Sequence, residues 1–127
     1  MFLSITELRA SSIHGIGVFV LVAISKGTAV YRHIPELDLM LTHEQFTKLD
    51  LAEQATILHY GYVDKRTGLY RLDHDDIRFV NDSNNPNVGY DQITGQIVAL
   101  RDISAGEELT QNYQDFESRR FAEEKDE

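Results

Sequence analysis

Short apolar runs separated by turn residues dominate the chain, and helical periodicity is confined to its middle. Phe2, Leu3, Ile5 and Leu8 open the sequence, and Val18-Phe19-Val20-Leu21-Val22 is β-branched and aromatic, the composition of a buried strand. Ser25-Lys26-Gly27 predicts a turn, and Thr28-Ala29-Val30-Tyr31 begins another extended run. Thr42-His43-Glu44-Gln45 then has the form of a capping box, in which the Thr42 hydroxyl and the Gln45 side chain satisfy free backbone donors. Phe46, Leu49, Ala52, Ala55 and Leu58 follow at helical spacing, which predicts a helical face with a break near Asp50. After Tyr60-Gly61-Tyr62-Val63, the segment Asp64-Lys65-Arg66-Thr67-Gly68 predicts a hairpin loop before Leu69-Tyr70-Arg71-Leu72.

The last third returns to strands and loops. Residues 82–87 are too polar, and too close to Pro86, for regular structure. Val88-Gly89-Tyr90 and Gln96-Ile97-Val98-Ala99-Leu100 flank a turn containing Thr94-Gly95, Ser104-Ala105-Gly106 is a further turn, and residues 108–113 read as a final strand. Many short strands around one helical segment predict a mainly β domain of the α+β class.

Composition narrows the picture. A chain of 127 residues suits one domain, with its core at about 5–116 and a charged tail over 117–127 that is expected to fray. The longest apolar stretch, Ile16 to Ile24, contains Gly17 and is too short to cross a bilayer. The first residues lack the basic region of a signal peptide, so a cytoplasmic protein is expected. The absence of cysteine excludes disulfides, thiolate zinc sites and cysteine nucleophiles. A formal net charge of -9 disfavours nucleic acid and favours a basic partner.

Three segments carry candidate chemistry. In His14-Gly15-Ile16-Gly17-Val18-Phe19, two glycines let the backbone approach a ligand and expose amide donors and carbonyl acceptors. A lone Gly-x-Gly before a strand also reads as a plain turn, and it is no dinucleotide fingerprint, because the third glycine and the following helix are absent. Arg78-Phe79-Val80-Asn81-Asp82-Ser83-Asn84-Asn85-Pro86-Asn87 reads either as a long self-bonded turn or as an apolar wall with amides suited to a flat heteroaromatic ring. Ile103-Ser104-Ala105-Gly106-Glu107-Glu108-Leu109-Thr110-Gln111-Asn112-Tyr113 ends on a tyrosine whose phenol matters chemically only if it points into a pocket.

Taken together, these segments resemble the SET domain of protein-lysine methyltransferases, in particular the minimal SET proteins of bacteria and viruses. That family typically reads Gly-x-Gly, then Arg-Phe-x-Asn-His-Ser-x-x-Pro-Asn, then Gly-Glu-Glu-Leu-Thr with a closing tyrosine. Arg78, Phe79, Asn81, Ser83, Pro86, Asn87, Gly106, Glu107, Glu108, Leu109, Thr110 and Tyr113 match, and the resemblance runs from about Ser12 to Phe116. Asp82 stands where the family usually has histidine, Asn112 replaces a frequent aspartate, and the zinc-binding cysteines that follow some SET domains are missing.

The resemblance implies a β-clip of small sheets with a knot-like C-terminal crossing that brings the Asn81 loop beside the strand leading to Tyr113. It further implies methyl transfer from S-adenosylmethionine to the ε-amine of a lysine in a protein substrate. In that reading His14, Gly15, Ile16, Gly17, Arg78, Asn81, Asp82 and Phe116 bind the cofactor, Phe121 being an alternative stacking partner. Tyr113 is the catalytic residue, and Tyr60, Tyr62 and Tyr113 line the lysine channel. A basic segment of a protein is the expected partner, with no nucleic acid or membrane, and homodimers occur among such small domains. No metal is expected. His14, His33, His43, His59 and His74 lack ligand spacing, and Asp73, Asp75 and Asp76 read as a solvated turn or helix start. Two other readings stay open: a β-clip module of the SAF group, which shares the phrase running from Val98 to Leu109, and a SET domain turned non-catalytic interaction module, with Asp82 as its mark.

Overall fold

The computed structural model describes residues 1–117. In chain order these form β1 (Thr6–Ala10), β2 (Ile16–Val20), β3 (Ala29–Tyr31), β4 (Leu39–Leu41), α1 (His43–Thr47), α2 (Leu51–Tyr60), β5 (Tyr62–Val63), β6 (Tyr70–Leu72), β7 (Asn81–Asp82), β8 (Val88–Tyr90), β9 (Ile97–Ala99) and β10 (Thr110–Gln111). The chain divides into two units. One is built from Met1–Ile34 and Asp75–Asn112, the other from Pro35–His74 and the segment beginning at Tyr113. None of the described helices is long and apolar enough to cross a membrane.

In the first unit, β1 and β2 pair antiparallel, with Thr6 opposite Val20 and Ala10 opposite Ile16. Alternation along β2 sends Val18 and Val20 into the core, where both are fully buried. The buried strand expected over Val18–Val22 stops at Val20. There Val20 bonds the 106–107 turn in both directions, and Leu21 and Val22 lie beyond the last core-facing position and are exposed. β8, β9 and β3 form an antiparallel sheet. β7 and β10 pair in parallel, Thr110 opposite Asn81 and Gln111 opposite Asp82. Asp82 thus belongs to a short strand instead of the irregular loop expected from its polarity, because Ser83 N–H also bonds Gln111 O at 2.8 Å and extends the pairing.

The core of this unit joins Val18, Val20, Ile24, Val30, Ile77, Val80, Val88, Ile103 and Leu109. Asn87, 1% exposed, fastens β10 to it. Its Nδ2 donates to Glu108 O (2.8 Å), its Oδ1 accepts from Thr110 N–H (2.8 Å), and its own N–H donates to Thr110 Oγ1 (3.1 Å). A polar residue can be buried there because the strand supplies a partner for each of these groups.

In the second unit β4, β6 and β5 form an antiparallel sheet, with Leu41 and Val63 both opposite Tyr70. The Thr42 capping box is present, with Gln45 N–H to Thr42 Oγ1 at 3.1 Å and Thr42 N–H to Gln45 Oε1 at 2.9 Å. The break near Asp50 is a second cap, where Asp50 N–H donates to Glu53 Oε1 at 3.0 Å and α2 starts afresh. The restart rotates the buried face. Ile57 is buried and Leu58 packs beside it, whereas Ala52 and Ala55, expected inward, are exposed. Phe46 stacks on Tyr70 at 4.1 Å between ring centroids.

Arg71 on β6 lies between two buried acids, Nη1 at 3.2 Å from Asp64 and Nη2 at 3.5 Å from Asp73, with its guanidinium 5.7 Å from the centre of the Tyr62 ring. Asp73 is therefore a buried ion-pair member and not part of a solvated turn. Leaving a cation between hydrophobic layers without it would be costly. Asp75 does start a helical turn as expected, its carboxylate accepting from Ile77 N–H at 3.2 Å ahead of the 3-10 turn Asp76–Phe79.

Two outcomes follow. Asn87→Ala leaves the Thr110 amide and the Glu108 carbonyl without their partner, and it is expected to lower stability by about 1–3 kcal/mol in urea unfolding. The Tyr62 phenol is pushed above its ordinary range by burial first and by the Asp73 carboxylate second, against the opposing effect of Arg71. The unfolded state, with a tyrosine pKa of about 10, ionises first, so Tyr62 contributes stability below that pH and loses it as pH rises. Wild type should therefore lose more stability between pH 9 and ~11 than Tyr62→Phe, read from denaturation midpoints at each pH.

Candidate functional site

In the first unit the Gly-x-Gly turn, the asparagine segment and the Glu-Glu-Leu-Thr segment meet in one hydrogen-bonded group. Ser11, just before the turn, organises it. Ser11 Oγ accepts from Ile13 N–H (2.9 Å) and His14 N–H (3.3 Å), and Ser11 N–H donates to Gly15 O (2.8 Å). Gly15 sits at φ +46°, in the left-handed region that glycine enters without penalty. Gly17 is required for a different reason: a Cβ there would overlap the carboxylate of Glu108.

Asn81, at the start of β7, is 7% exposed and turns its amide nitrogen into this group. Nδ2 lies 2.7 Å from Glu108 Oε2, 3.0 Å from His14 O, 3.1 Å from Ser11 Oγ and 3.3 Å from Ile16 O. Two amide protons are thus shared among four acceptors. That fixes which end of the amide is nitrogen, since an oxygen there would face carbonyl and carboxylate oxygens. Ser11 Oγ in turn donates to Glu108, 2.7 Å from Oε1 and 2.9 Å from Oε2. Among the described residues Asn81 Oδ1 receives no hydrogen bond.

The remaining sequence-predicted cofactor residues of this unit are placed as follows. His14 and Ile16 are exposed and enter the group through their carbonyls, not their side chains. Arg78 is exposed on the 3-10 turn, its guanidinium 5.6 Å from the centre of the Phe79 ring. Asp82 is exposed and is held by the pairing of β7 with β10.

In the second unit three other predicted residues gather. Tyr113 opens a 3-10 turn over Tyr113–Asp115 instead of ending a strand. Pairing with β7 stops at Gln111, and the chain then bends so that Tyr113 O accepts from Phe116 N–H (3.2 Å) and Glu117 N–H (2.8 Å). The turn is clamped by the β5–β6 hairpin, where Lys65 N–H donates to Phe116 O (3.0 Å) and Lys65 Nζ to Gln114 O (2.6 Å), and Asp64 bridges Glu117. The Phe116 ring meets Tyr113 edge-on at 5.6 Å and Tyr62 at 4.9 Å, so Tyr113, Phe116, Tyr62 and Arg71 form a continuous series of ring and cation contacts. Tyr60 is 39% exposed and meets His59 edge-on at 4.5 Å. Phe121 lies outside the described residues.

Glu108 and Asn87 match a motif that implies no role for their side chains, and no motif marks Ser11 or Arg71. The signal for Glu108 is indirect: Gly17 lacks a Cβ where the Glu108 carboxylate lies against the backbone. Nothing in the local pattern marks Arg71, whose partners are Asp64 across the hairpin and Asp73 two residues on.

The arrangement offers a backbone turn open to close approach and, at Asn81, an acceptor oxygen held in a fixed direction. Both suit a ligand that carries a cationic N–H donor.

Residues 15–114 match the SET domain profile. Comparison with curated proteins gives no match. Among solved structures the chain is similar to a humanised mutant of the Chaetomium thermophilum Polycomb Repressive Complex 2 bound to the inhibitor GSK126, with a TM-score of 0.63 and 21% identity over 91% of this chain and 16% of that one. It is also similar to the same fungal complex in an autoinhibited conformation bound to S-adenosylmethionine, with a TM-score of 0.62 and 21% identity over 95% of this chain and 16% of that one. A Plasmodium falciparum protein described as a candidate histone methyltransferase aligns at a TM-score of 0.57 and 18% identity, over 87% of this chain and 93% of that one. The chain therefore spans 16% of the length of the Polycomb chains and most of the Plasmodium protein. Small, mostly antiparallel sheets in the β-clip pattern, the joined motif segments and the profile match lead to one conclusion: the chain belongs to the SET-domain family.

Proposed function

We propose that the protein transfers a methyl group from S-adenosylmethionine to the ε-amine of a lysine in a protein substrate. The observation that carries this reading is the position of Asn81. Its amide is buried against the Gly-x-Gly turn, and its strand pairs in parallel with the strand that runs directly on to Tyr113. The bound cofactor would supply an electrophilic methyl group on a sulfonium. The residues present fit it: Gly15 leaves open space beside the turn for its amino-acid end, Gly17 would add main-chain contacts, and Asn81 presents an acceptor to its ammonium. Asp82 would contribute main-chain groups at β7, and the positions of His14, Ile16 and Arg78 border the same segments.

In this reading Tyr113 orients the amine through its hydroxyl, and Tyr62 and Tyr60 line the approach of the lysine. The amine must arrive uncharged, although a lysine in water has a pKa of about 10.4. Withdrawal from water, next to the positive charge the cofactor would bring, disfavours the ammonium and so helps the proton leave. Because Tyr62 is held as the neutral phenol across the physiological range, it hydrogen-bonds without adding a negative charge that would retain the proton. The net charge of -9 favours a basic segment of the substrate protein, which the protein would meet in the cytoplasm.

Calorimetric titration with S-adenosylmethionine is the first check. The reading expects saturable heat, and its absence at high micromolar cofactor contradicts it. Given binding, Tyr113→Phe should leave cofactor affinity within about twofold while methyl transfer falls by 10²-fold or more, the size expected for removing an orienting group at the reacting centre. Transfer of labelled methyl from the cofactor to proteins of a cell lysate, read by mass spectrometry of the acceptor, identifies the substrate. Unchanged turnover in Tyr113→Phe removes that residue from the mechanism.

A further inference from the structure

The proposed reading leaves one carboxylate of the site without a task. Glu108 is partly buried, accepts from Asn81 Nδ2 at 2.7 Å and from Ser11 Oγ at 2.7 and 2.9 Å, and lies so close to Gly17 that no side chain fits between them. Its backbone is fixed from both sides. Phe19 bridges it, and Asn87 Nδ2 holds its carbonyl at 2.8 Å. A carboxylate is an acceptor only, so it can pair with the nitrogen end of the Asn81 amide and not with the oxygen end.

Resting on the methyltransferase reading, we infer that Glu108 is a positioning residue: it locks the Asn81 amide with Nδ2 inward and Oδ1 outward, so that Asn81 recognises the α-ammonium of the methyl donor. The other three acceptors around Nδ2 are neutral, namely two carbonyls and a hydroxyl that itself donates to Glu108. A charged acceptor at 2.7 Å outweighs each of them. Without Glu108 the amide nitrogen keeps only the two neutral turn carbonyls and the Ser11 hydroxyl, so Asn81 loses its one charged anchor and Oδ1 is held outward less firmly. A less firmly held amide presents its acceptor oxygen to an ammonium less often in the right direction. The effect of Glu108 on binding therefore passes through one end of the ligand only. The adenine and ribose end is read elsewhere and should not register the loss.

Two ligands separate the ends. S-adenosylmethionine carries the α-ammonium, whereas 5′-methylthioadenosine keeps adenosine and sulfur and lacks the amino-acid portion. Their affinities are to be measured by calorimetry for wild type, Glu108→Ala and Glu108→Gln. Glu108→Ala should weaken S-adenosylmethionine roughly tenfold, the scale of a lost charge-assisted hydrogen bond, and leave methylthioadenosine unchanged. Glu108→Gln, whose amide oxygen can still accept from Asn81, should recover part of the loss. If Glu108→Ala does not fold, Glu108→Gln decides the matter by weakening S-adenosylmethionine alone. Equal weakening of both ligands overturns the inference, because it assigns Glu108 to the general integrity of the site. Unchanged S-adenosylmethionine affinity overturns it as well. A glutamine variant as weak as the alanine one overturns it too, since charge and not amide orientation would then be the cause. Wild type that binds neither ligand removes the methyltransferase reading itself.

Discussion

One buried amide organises the first unit. Asn81 must satisfy two N–H bonds in a largely buried place, and the acceptors that do so come from two stretches of chain far from it in sequence: residues 11–16 and Glu108. Orphaning that group would cost as much as the net stability many small contacts provide. The Gly-x-Gly turn, the asparagine segment and the Glu-Glu-Leu-Thr segment are therefore bound to each other by a satisfaction requirement, not by sequence proximity. The parallel pairing of β7 with β10 and the three bonds of Asn87 hold the same segments in register.

The second unit solves a different problem with the same means. Arg71 is a cation withdrawn from water, and Asp64, Asp73 and the Tyr62 ring surround it. The hairpin that carries Asp64 also carries Lys65, which grips the turn from Tyr113 to Glu117 by main chain and side chain. Tyr113 is thus set by a polar network as well as by its ring contact with Phe116. A phenol held in this way loses little orientational freedom on meeting a substrate.

Local signals in the sequence were sufficient where structure is local. Thr42 and Gln45 form the capping box their spacing predicts, the 64–68 loop joins β5 to β6, and the mainly β class follows from short branched runs. The motif resemblance supplied what periodicity lacks, the joining of Asn81 with the segment before Tyr113. Failures arose where one specific partner, near or far in sequence, overrides pattern and polarity. Ala52 and Ala55 kept helical spacing with Phe46, but the second cap at Asp50 reset the phase. Asp73 reads in sequence as a solvated acid but is paired with Arg71, and Tyr113 reads as a strand end but its carbonyl collects two amides from the following turn. Glu108 shows the same limit. Its role depends on the facing backbone at Gly17, which no window around residue 108 contains.

A crystal structure with S-adenosylmethionine bound tests the central claim most directly. The account predicts the ligand's ammonium within hydrogen-bond reach of Asn81 Oδ1, with Nδ2 still facing Glu108 and the turn carbonyls. A cofactor seated away from Asn81, or an Asn81 amide turned with its nitrogen toward the ligand, would contradict it.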